Sequence, residues 1–381
     1  MAGLPLVLHV LYRFDTGGLE NGVVNLINRL RGYRHAVLAL DHCAPAFCQR
    51  VQRDDVEFIS LHKPPGQTLK MAPRFVAELR RIQPALVHTR NLAALEMQLS
   101  AWWHGVPARV HGEHGWDMSD LGGVSTKARW TRRFYRRFVH RQVALSGDLE
   151  RYLVRKVGVP GAQVQRICNG VDVDRFAAFG KRQPLEGSPF NDPGLFVVGT
   201  VGRMQTVKAQ TQLVDAFVLA LQQAPHLREN LRLVLVGDGP LRLNCEQRLV
   251  SAGVRDLAWL PGERRDVPAL MAHFSAFALP SLAEGISNTI LEAMACGRAV
   301  LATRVGGNDE LVVEGVTGEL VPAGEPELMA ASLRDWARKP DRVEAMGYEA
   351  RLRVEQRFSL EAMVGAYDEL YRGLLAANTS A

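Results

Sequence analysis

Residues 281–302, SLAEGISNTILEAMACGRAVLA, contain two glutamates, Glu284 and Glu292, on either side of the start of a predicted helix. The FALP that precedes this stretch is typical of the end of a buried strand. The run at 288–297, NTILEAMACG, has apolar residues at helical spacing and ends at a glycine, which predicts a helix with a glycine C-cap. A buried strand that leads through a loop into a helix is the repeating unit of a parallel α/β sheet. Such sheets bind ligands at the carboxyl ends of their strands, where Glu284 lies.

The same alternation of strand-like and helix-like runs extends in both directions from this stretch. Strand-like runs before it include LVLHVL, HAVLAL, ARVHGEHG and LFVVGTVGR, and AVLATRVGG follows it. A chain of 381 residues is too long for one ordinary core, and residues 176–194 hold three prolines and three glycines without periodicity. The sequence therefore predicts an α/β protein of two doubly wound domains that face a central cleft. The predicted bounds are 1–178 for the first domain, 179–194 for a linker, 195–358 for the second domain, and 359–377 for a C-terminal helix that packs back on the first domain.

Bulk composition predicts a soluble globular protein, with 47% hydrophobic residues and a mean hydropathy of −0.06. No apolar run approaches the roughly 20 residues that a membrane-spanning helix needs. The N-terminal LPLVLHVLY lacks the basic segment and the cleavage site of a signal peptide, so it is interpreted as the first strand. The five cysteines are scattered along the chain, which predicts reduced thiols and a cytoplasmic location.

The two halves of the chain differ in charge. Residues 1–178 carry 25 Lys and Arg against 15 Asp and Glu, whereas the remaining residues carry 21 against 25. This asymmetry predicts that the first domain faces an anionic partner.

The start of the predicted helix at 288–297 offers free backbone N–H groups, with Ser287 or Asn288 as the N-cap, and such a terminus binds phosphate. Glu284 and Glu292 would repel a bare phosphate. A ligand with phosphate in the middle and hydroxyl groups at both ends fits better, because carboxylates accept hydrogen bonds from vicinal diols. A nucleotide-sugar has that shape. The alternative is that Glu292 is an ordinary helix glutamate and that Glu284 interacts only with the helix dipole.

Residues 198–210, VGTVGRMQTVKAQ, place Arg203 and Lys208 between a predicted strand and a predicted helix of the same domain. Two cations at this position can neutralise the charge that develops on a diphosphate leaving group. Gly199 and Gly202 permit close approach of the backbone to a ligand. The alternative is that both cations are solvated loop charges.

The first predicted βα loop, DTGGLEN at residues 15–21, contains adjacent glycines that let the backbone approach a ligand. These are Gly17 and Gly18, and Glu20 opens the helix that follows. The alternative is a plain glycine-rich turn with an N-terminal glutamate. No G-x-G-x-x-G motif occurs in the sequence, so a nicotinamide or flavin dehydrogenase is not supported.

Residues 110–117, VHGEHGWD, bring two histidines to the end of another predicted strand. His111 and His114 resemble metal ligands in their spacing, but no third ligand matches them. A histidine at a strand end can instead hydrogen-bond a sugar hydroxyl, and a structural histidine is the expected fate of one of the two. Asp172 and Asp174 form an Asp-x-Asp pair before the linker, which is not interpreted as a metal site.

Residues 125–142, STKARWTRRFYRRFVHRQ, contain seven basic residues and no acidic one. Trp130, Phe134 and Phe138 recur every four residues, which predicts one aromatic stripe beside a basic face. Such a helix can lie on an anionic membrane surface, although a basic face attracts nucleic acid as well. The alternative is that the stripe packs into the domain and only the basic face is exposed. The membrane-surface candidates are Lys127, Arg129, Arg132, Arg133, Arg136 and Arg137.

Together these motifs resemble the retaining glycosyltransferases of family four, also called glycosyl transferases group 1. This resemblance implies the GT-B architecture of two Rossmann-like domains around a cleft. Its most specific part is the E-x7-E spacing from Glu284 to Glu292, joined to ACGRAVLATRVGG. GRMQTVK, GDGP, NGVD and the GG at 17–18 match further signatures of the family in the same order. GGLENGVVNLINRL and HGEHGWD also resemble a bacterial subgroup associated with exopolysaccharide and PEP-CTERM loci.

The resemblance implies a role for each matching residue. Arg203 and Lys208 would contact the donor diphosphate, and Glu292 the ribose hydroxyls. Glu284 and His114 would act at the donor sugar, as the catalytic pair. The other positions implied are Gly17, Gly18, Gly285, Ile286, Ser287 and Asn288 on the donor and Glu20 on the acceptor side.

The function that the resemblance implies is a retaining, metal-independent hexosyltransferase with no cofactor and with a UDP- or GDP-linked nucleotide-sugar as co-substrate. The acceptor would be lipid-linked or a glycan of bacterial polysaccharide or glycoconjugate biosynthesis. The enzyme would be peripheral at the inner face of the cytoplasmic membrane, without a nucleic-acid partner. Two alternatives stay open. One is a GT-B-like epimerase or hydrolase that acts on a nucleotide-sugar without an acceptor, and the other is a basic membrane or nucleic-acid adaptor with a degenerate site.

Overall fold

A computed structural model of the chain describes residues 3–64, 66, 68–115, 118–177 and 180–379, without the side chains of residues 118, 119, 121, 378 and 379. The chain forms two compact units, residues 1–169 with 361–381 and residues 170–360. The division falls before the predicted domain end at 178, and the segment predicted as a linker, 179–194, belongs to the second unit. Residues 178 and 179, at the predicted boundary, lie outside the described residues.

The first unit is built on a seven-stranded sheet. Its strands are β1 (Leu6–Leu11), β2 (Arg34–Ala39), β3 (Glu57–Ser60), β4 (Leu86–Arg90), β5 (Ala108–Glu113), β6 (Arg141–Ala144) and β7 (Val164–Arg166). All neighbouring strands are parallel, in the order β3-β2-β1-β4-β5-β6-β7. The α-helices between them are α1 (Gly18–Arg29), α2 (Pro45–Cys48), α3 (Ala72–Ile82), α4 (Asn91–Leu95), α5 (Met97–Trp103), α6 (Thr126–Tyr135) and α7 (Gly147–Tyr152).

The second unit is built on a six-stranded sheet. Its strands are β8 (Phe196–Val201), β9 (Leu231–Val236), β10 (Ala258–Gly262), β11 (Ala276–Leu279), β12 (Ala299–Thr303) and β13 (Gly318–Val321). These strands are also parallel, in the order β10-β9-β8-β11-β12-β13. The α-helices of this unit are α8 (Gln210–Gln223), α9 (Arg242–Ser251), α10 (Val267–His273), α11 (Asn288–Ala295), α12 (Asn308–Leu311), α13 (Pro326–Arg338) and α14 (Pro340–Arg357).

The last helix, α15 (Leu360–Thr379), returns to the first unit. The Tyr371 hydroxyl donates to Nδ1 of His88 on β4 at 2.6 Å, and the Tyr33 hydroxyl donates to Asp368 at 3.0 Å. Tyr371 is fully buried, so these contacts make α15 part of the core of that unit. Among the helices of the described ranges, none combines the length and the apolar character needed to cross a membrane.

The central strands of both sheets are buried along their whole length. All six residues of β1 and all five of β12 are buried. Parallel strands covered by helices on both faces are apolar without interruption, which is why LVLHVL and AVLAT contain few polar residues. In the second unit the core between sheet and helices includes Phe217 of α8 and Trp336 of α13, which are both fully inaccessible to solvent.

Each sheet has a point where the strand order reverses. In the first unit β1 lies between β2 and β4, and in the second β8 lies between β9 and β11. Loops that leave two such neighbouring strands diverge to opposite faces of the sheet, which opens a crevice at the carboxyl edge. Gly17 and Gly18 follow β1, Arg203 and Lys208 follow β8, and Glu284 follows β11, whereas His114 follows β5.

Candidate functional site

In the second unit, the loops after β8 and β11 bring two of the predicted site residues into direct contact. Lys208 Nζ lies 2.6 Å from Oε1 of Glu284, and the Ser281 hydroxyl donates to the same oxygen at 2.6 Å. The Glu284 side chain is only 9% exposed. Both contacts fall on Oε1, and Oε2 makes no hydrogen bond within the described part of the chain. The pair therefore holds Glu284 in place while one of its oxygens stays available to a ligand hydroxyl.

Backbone contacts fix the relative position of these loops. The Leu282 N–H donates to the Val207 carbonyl at 2.8 Å, and the Gly307 N–H donates to the Gly285 carbonyl at 2.8 Å. Gly306 has a φ of +54°, and a Cβ at this position would collide with the carbonyl oxygen of Glu284. The sequence uses glycine here because the loop after β12 passes directly over the backbone that carries the glutamate.

The helix that opened the sequence analysis is α11. It begins at Asn288, and Ser287 is the N-cap because its hydroxyl accepts from the Ile290 N–H at 3.4 Å. The C-cap of α11 is Cys296, and Gly297, which was predicted as the cap, is the next residue and ends the helix with a φ of +69°. The predicted donor-binding backbone from Gly285 to Asn288 forms the entry to this helix, where N–H groups favour an anion.

Glu292 lies on α11, and the pKa of its carboxyl group is raised. The side chain is partly exposed, but desolvation of its carboxyl group raises the pKa to about 7. The positive charge of Arg175 acts in the opposite direction and lowers it. Its carboxylate has no hydrogen-bond partner among the residues that the structure describes. A carboxylate kept partly desolvated and unsatisfied gains two hydrogen bonds when a vicinal diol binds it, which offsets the cost of its ionisation.

Arg203 differs from Lys208 in having an exposed side chain. Its guanidinium makes no ion pair within the described residues, although its carbonyl accepts from the Gln210 side chain at 3.1 Å. The loop after β8 thus presents one paired and one unpaired cation. Glu284 neutralises Lys208, whereas the charge of Arg203 is not offset by an ion pair within the described residues and favours an anionic ligand at this loop.

The first unit brings together the other predicted residues. His114 follows β5, and it lines a small cavity with Arg90 at the end of β4 and with Leu19 and Gly22 of α1. Helix α1 starts at Gly18, and Glu20 in its first turn folds back against Gly17. The glycine loop and His114 therefore lie on the same edge of the first sheet.

His114 is neutral at physiological pH. Burial, together with the charge of Arg90 and the proximity of His111, lowers its pKa to about 3. Its backbone N–H donates to the Asn91 side chain at 2.8 Å, and its Nε2 is buried without a hydrogen-bond partner. A neutral imidazole with a free ring nitrogen is suited to hydrogen-bond a hydroxyl rather than to carry charge. His111 is the structural histidine of the pair, since it bonds Thr89 at 2.8 Å and Glu113 at 3.4 Å.

A directional chain of hydrogen bonds runs inward from Arg90, which is 2% exposed. Arg90 donates to His9 Nδ1 at 3.1 Å, His9 Nε2 contacts His35 Nδ1 at 3.0 Å, and His35 Nε2 contacts the Leu30 carbonyl at 2.9 Å. Since a guanidinium only donates, each imidazole must accept on Nδ1 and donate from Nε2. Burial, with Arg90 nearby, lowers the pKa of His9, so the chain is built from neutral rings.

One residue of the basic segment at 125–142 was predicted wrongly. Arg132 was expected at the protein surface, but its side chain is buried. Arg132 is 3% exposed and points inward, where it pairs with Glu113 at 2.6 Å and Asp120 at 3.0 Å. Burial alone would raise the pKa of Glu113, but the His111 hydrogen bond and the charge of Arg132 lower it to about 2. The charge pairs keep this arginine inside, so it cannot be a membrane-surface residue.

The other five candidates of this segment lie at or near the surface. Lys127 and Arg137 are exposed, and Arg129 is partly exposed. Arg133 and Arg136 are also partly exposed, and they donate to the carbonyls of Lys156 and Val157 respectively. The aromatic stripe does not pack fully inward either, since Trp130 and Phe134 remain exposed.

Two protein-family models match the chain. The model described as Glycosyltransferase Family 4 matches residues 16–175, and the model described as Glycosyl transferases group 1 matches residues 196–339. The chain belongs to glycosyltransferase family four. The resemblance inferred from the E-x7-E spacing and the accompanying motifs is thereby confirmed at the level of the family.

Curated relatives of this family-four chain act on different acceptors. A D-inositol 3-phosphate glycosyltransferase of Saccharomonospora viridis is 32% identical over 233 residues, 59% of this chain and 53% of that protein. A UDP-Gal:alpha-D-GlcNAc-diphosphoundecaprenol alpha-1,3-galactosyltransferase of Escherichia coli is 26% identical over 287 residues, 73% of this chain and 69% of that protein. For the inositol-phosphate enzymes, the chain spans about half the length of the curated relatives it matches.

Solved structures match over almost the full length. The HepE protein of Anabaena, crystallised in complex with UDP, has a TM-score of 0.80 at 21% identity and covers 96% of this chain and 99% of its own. WaaG, a glycosyltransferase involved in lipopolysaccharide biosynthesis, has a TM-score of 0.70 at 18% identity and covers 95% of this chain and 98% of its own. At these identities the likeness shows the fold alone, and it confirms the predicted GT-B class.

Sequence reasoning missed several residues that shape the candidate sites of the two units of this family-four chain. The Ser281 hydroxyl orients Glu284 through a hydrogen bond, and the positive charge of Arg90 helps to lower the pKa of His114. Asn91, which has a φ of +57°, accepts a hydrogen bond from the backbone N–H of His114. A signal existed for each of them. Ser281 lies in the same loop as the glutamate, Arg90 is the last residue of β4 and Asn91 follows it directly, so a search of every strand end for polar residues finds all three.

Proposed function

We propose that the protein is a retaining hexosyltransferase that transfers a sugar from a UDP- or GDP-linked donor to a lipid-linked or glycan acceptor. The observation that carries this proposal is the Lys208–Glu284 pair beside the unpaired Arg203, at the strand-order reversal of the second sheet. Membership of family four supports it, as does the UDP present in the crystal of the similar HepE protein.

Each part of the donor has a partner of suitable chemistry in the second unit. Arg203 and Lys208 bind the diphosphate, and the N–H groups at the start of α11 assist them. Glu292 accepts hydrogen bonds from the ribose hydroxyls. Glu284 accepts from a hydroxyl of the donor sugar, since its Oε2 is available when Lys208 and Ser281 hold Oε1.

The transfer itself breaks the bond between the anomeric carbon and the diphosphate and forms a bond from that carbon to the acceptor oxygen on the same face. The acceptor proton passes to the departing diphosphate. Arg203 and Lys208 stabilise the charge on the leaving group, a type of contribution worth about 3–4 kcal/mol per removed donor in other enzymes. In the first unit, neutral His114 hydrogen-bonds the reacting sugar, the Gly17–Gly18 backbone approaches the donor, and Glu20 serves the acceptor side. The reaction as proposed uses neither metal nor cofactor, and the retained anomeric configuration is read from the product by NMR.

The proposed setting is the inner face of the cytoplasmic membrane, in exopolysaccharide or related glycoconjugate biosynthesis. The Escherichia coli relative is named for a substrate linked to diphosphoundecaprenol, which is a lipid-linked acceptor. Exposed Lys127 and Arg137 in the first unit favour an anionic surface nearby. These features support the peripheral placement, which the proposal extends to this chain.

The first test is calorimetry of UDP-, GDP- and ADP-sugars with the purified protein, with and without EDTA. One nucleotide class should bind tightly. Arg203→Gln should weaken that binding by about 1.5–3 kcal/mol, the value of a hydrogen bond to a charged group. Arg338→Gln is the matched control, because Arg338 is an exposed arginine at the end of α13 in the same unit.

The outcomes separate the competing functions. Binding by all three proteins without a difference would remove Arg203 from the donor site. Turnover of the donor without any acceptor would favour an epimerase or hydrolase. Absence of binding to every nucleotide-sugar, with or without divalent metal, would contradict the transferase proposal.

A further inference from the structure

Two buried imidazole nitrogens of the first unit face the same point beside β5. Nε2 of His88 and Nε2 of His114 are both buried, and neither has a hydrogen-bond partner among the residues that the structure describes. A Cβ built on Gly112 would lie 3.1 Å from the His88 nitrogen and 2.5 Å from the His114 nitrogen. Buried polar groups of this kind are normally paired, so two of them at one point indicate a shared partner.

The strand register explains why the two rings meet at Gly112. Arg90 of β4 is aligned with Gly112 of β5, and side chains of alternate residues project from the same face of a strand. His88 of β4 and His114 after β5 therefore project on the same side as a side chain at position 112 would. Gly112 does not have a positive φ, so its backbone does not require glycine. The space between the two imidazoles is what requires it.

Arg90 determines which nitrogen of His88 carries the proton. The Arg90 guanidinium lies 3.3 Å from Nδ1 of His88, and the Tyr371 hydroxyl lies 2.6 Å from the same nitrogen. Because a guanidinium only donates, Nδ1 accepts, and the one proton of the neutral ring is on Nε2. Burial, followed by the charge of Arg90, lowers the pKa of His88 well below its ordinary value, which agrees with a neutral ring. His88 thus directs an N–H donor towards the point that it shares with His114.

A metal ion does not fit between these two rings. The protonated Nε2 of His88 has no lone pair to offer a metal, and the adjacent Arg90 is positively charged. Within the described ranges, no group of three or more His, Cys, Asp or Glu side chains is arranged to hold one. A small neutral molecule that both accepts and donates a hydrogen bond fits, as a buried water does.

The separation of the two nitrogens suits one water molecule. An oxygen with two hydrogen bonds of about 2.9 Å joins nitrogens up to about 5.8 Å apart, and the two distances from the Gly112 position together fall within that limit. If His114 also directed an N–H at this oxygen, both protons of the water would need other acceptors. If His114 accepts instead, one of these protons is already used.

We propose that His88 is a positioning residue for His114 and that one buried water joins the two rings. His88 Nε2–H donates to the water, the water donates to Nε2 of His114, and the proton of His114 then lies on Nδ1. Nδ1 makes no hydrogen bond within the described part of the chain, and the ring is partly exposed, so Nδ1 is the nitrogen that reaches a ligand. His114 thus acts on a sugar hydroxyl as a donor. Only this last step rests on the proposed function.

Substitutions of His88 separate the roles of its two nitrogens. His88→Asn keeps an oxygen acceptor near the position of Nδ1 for Arg90 and Tyr371 and removes the donor at Nε2. His88→Gln places an amide N–H near the position of Nε2 and keeps that donor. NMR of the full chain labelled with nitrogen-15 histidine, assigned with His114→Gln, shows which nitrogen of His114 carries the proton at neutral pH. We expect Nδ1–H in the wild type and in His88→Gln, and a loss of this single tautomer in His88→Asn.

Two further variants test the water and the specificity of the effect. Gly112→Ala places a Cβ at the point proposed for the water, so the Nδ1–H tautomer of His114 should be lost although His88 is present. His104→Asn is the matched control, because His104 is a partly exposed histidine at the end of α5 in the same unit. This variant should leave the tautomer of His114 unchanged.

Calorimetry connects the tautomer to the donor sugar. His88→Asn should weaken the binding of UDP-glucose or GDP-mannose, whichever class binds, about tenfold, which corresponds to one hydrogen bond. The affinity for UDP or GDP alone should not change, since these ligands carry no sugar. His88→Gln should restore most of the lost affinity.

The NMR measurement on the free protein separates this proposal from the proposed function. An Nε2–H tautomer of His114 in the wild type would overturn the proposal, and this result needs no variant to fold. An unchanged tautomer in folded His88→Asn or Gly112→Ala would overturn it too, as would equal weakening of nucleotide and nucleotide-sugar binding in His88→Asn. The expected tautomers without binding of any nucleotide-sugar would support the link from His88 to His114 and contradict only the transferase.

Discussion

The desolvated Glu292 carboxyl destabilises the folded protein, and a bound donor would offset this destabilisation. Burial raises its pKa from an ordinary value of 4.5 to about 7, so the folded chain holds this proton where the unfolded chain has lost it. Between these two pKa values the folded state binds more protons than the unfolded state, and the stability falls as the pH rises. A side chain that destabilises the free protein, lies one turn inside α11 and has a strongly shifted pKa is typical of a binding site.

Replacement of Glu292 by glutamine should therefore stabilise the protein at high pH and weaken its donor binding. The free energy of unfolding should rise by up to about 3 kcal/mol at pH 8, with little change at pH 4.5, from the pKa difference at about 1.36 kcal/mol per unit. Urea unfolding at both pH values measures this, and calorimetry with the bound nucleotide class measures the affinity. Equal stability of variant and wild type at pH 8 would show that the carboxyl is not perturbed.

At the scale of the element, the loop after β12 depends on a glycine that no other residue can replace. Gly306→Ala introduces a Cβ that collides with the Glu284 carbonyl and occupies a positive φ. We expect it to displace the glutamate and reduce kcat/KM about a hundredfold, as a shift of about 1 Å does in other active sites. Gly315→Ala is the matched control, since Gly315 has a φ of +72° but open space around its Cα.

Both substitutions carry a conformational penalty of about 1 kcal/mol from the positive φ, and the collision with the Glu284 carbonyl should lower the thermal stability of Gly306→Ala further. Only Gly306→Ala should lose activity. Equal activity of the two variants would mean that the position of the Glu284 backbone does not govern catalysis.

Helix α15 is attached to the first sheet through a buried polar contact. Tyr371→Phe removes the hydroxyl that donates to His88 Nδ1 at 2.6 Å and should destabilise the first unit by about 0.5–1.5 kcal/mol, the net value of one hydrogen bond, because Arg90 still contacts His88 Nδ1 at 3.3 Å. Tyr348→Phe on α14 is the control, because Tyr348 is 63% exposed. Denaturant unfolding gives both values. A loss no greater for Tyr371→Phe than for Tyr348→Phe would show that packing alone holds the helix.

The strands and helices around the sites were predictable because their patterns are local. Buried parallel strands give unbroken apolar runs, and Ser287 and Gly297 mark the start and the end of α11 in the sequence. The edge strand β3, with the sequence EFIS and only one buried residue, has no such signal and was missed. Arg132 was placed on the wrong side because its partners, Glu113 and Asp120, precede it on other elements and only tertiary packing brings them together.

Contacts between loops could not be predicted from the sequence either. Lys208 and Glu284 were each identified from their own motif, but their direct pairing depends on the register of β8 against β11. Helical spacing predicted the aromatic stripe of α6, yet its continuation to Trp102 needed the position of α5 beside Phe138. A motif thus identifies the residues suited to the chemistry, and the strand order and register of the sheet determine which of them are in contact.

At the scale of the whole molecule, the two units should respond differently to acid. Burial, with Arg90 or other basic groups nearby, lowers the pKa of five histidines of the first unit, to about 4 for His35, to about 3 for His114, well below the ordinary value for His9 and His88, and below it for His140. These rings stay neutral when folded and take up protons when unfolded, so stability is lost as the pH falls below 6.5. In the second unit burial lowers the pKa of His273, while Glu292 acts in the opposite direction.

We therefore expect the first unit to lose stability first between pH 6.5 and pH 5, by about 2 kcal/mol for each histidine that stays neutral when folded. Hydrogen exchange with mass spectrometry at pH 7 and pH 5, corrected for the intrinsic exchange rate, resolves the two units within the intact chain. Protection should fall in β1, β4 and α15 and persist in β8 and β12. Glu292→Gln is the control, since it removes the opposing contribution and should make the second unit more sensitive to acid without changing the first. Equal loss of protection in both units of the wild type would show that the buried histidines do not set the acid stability, because their protonation is the property that distinguishes the first unit.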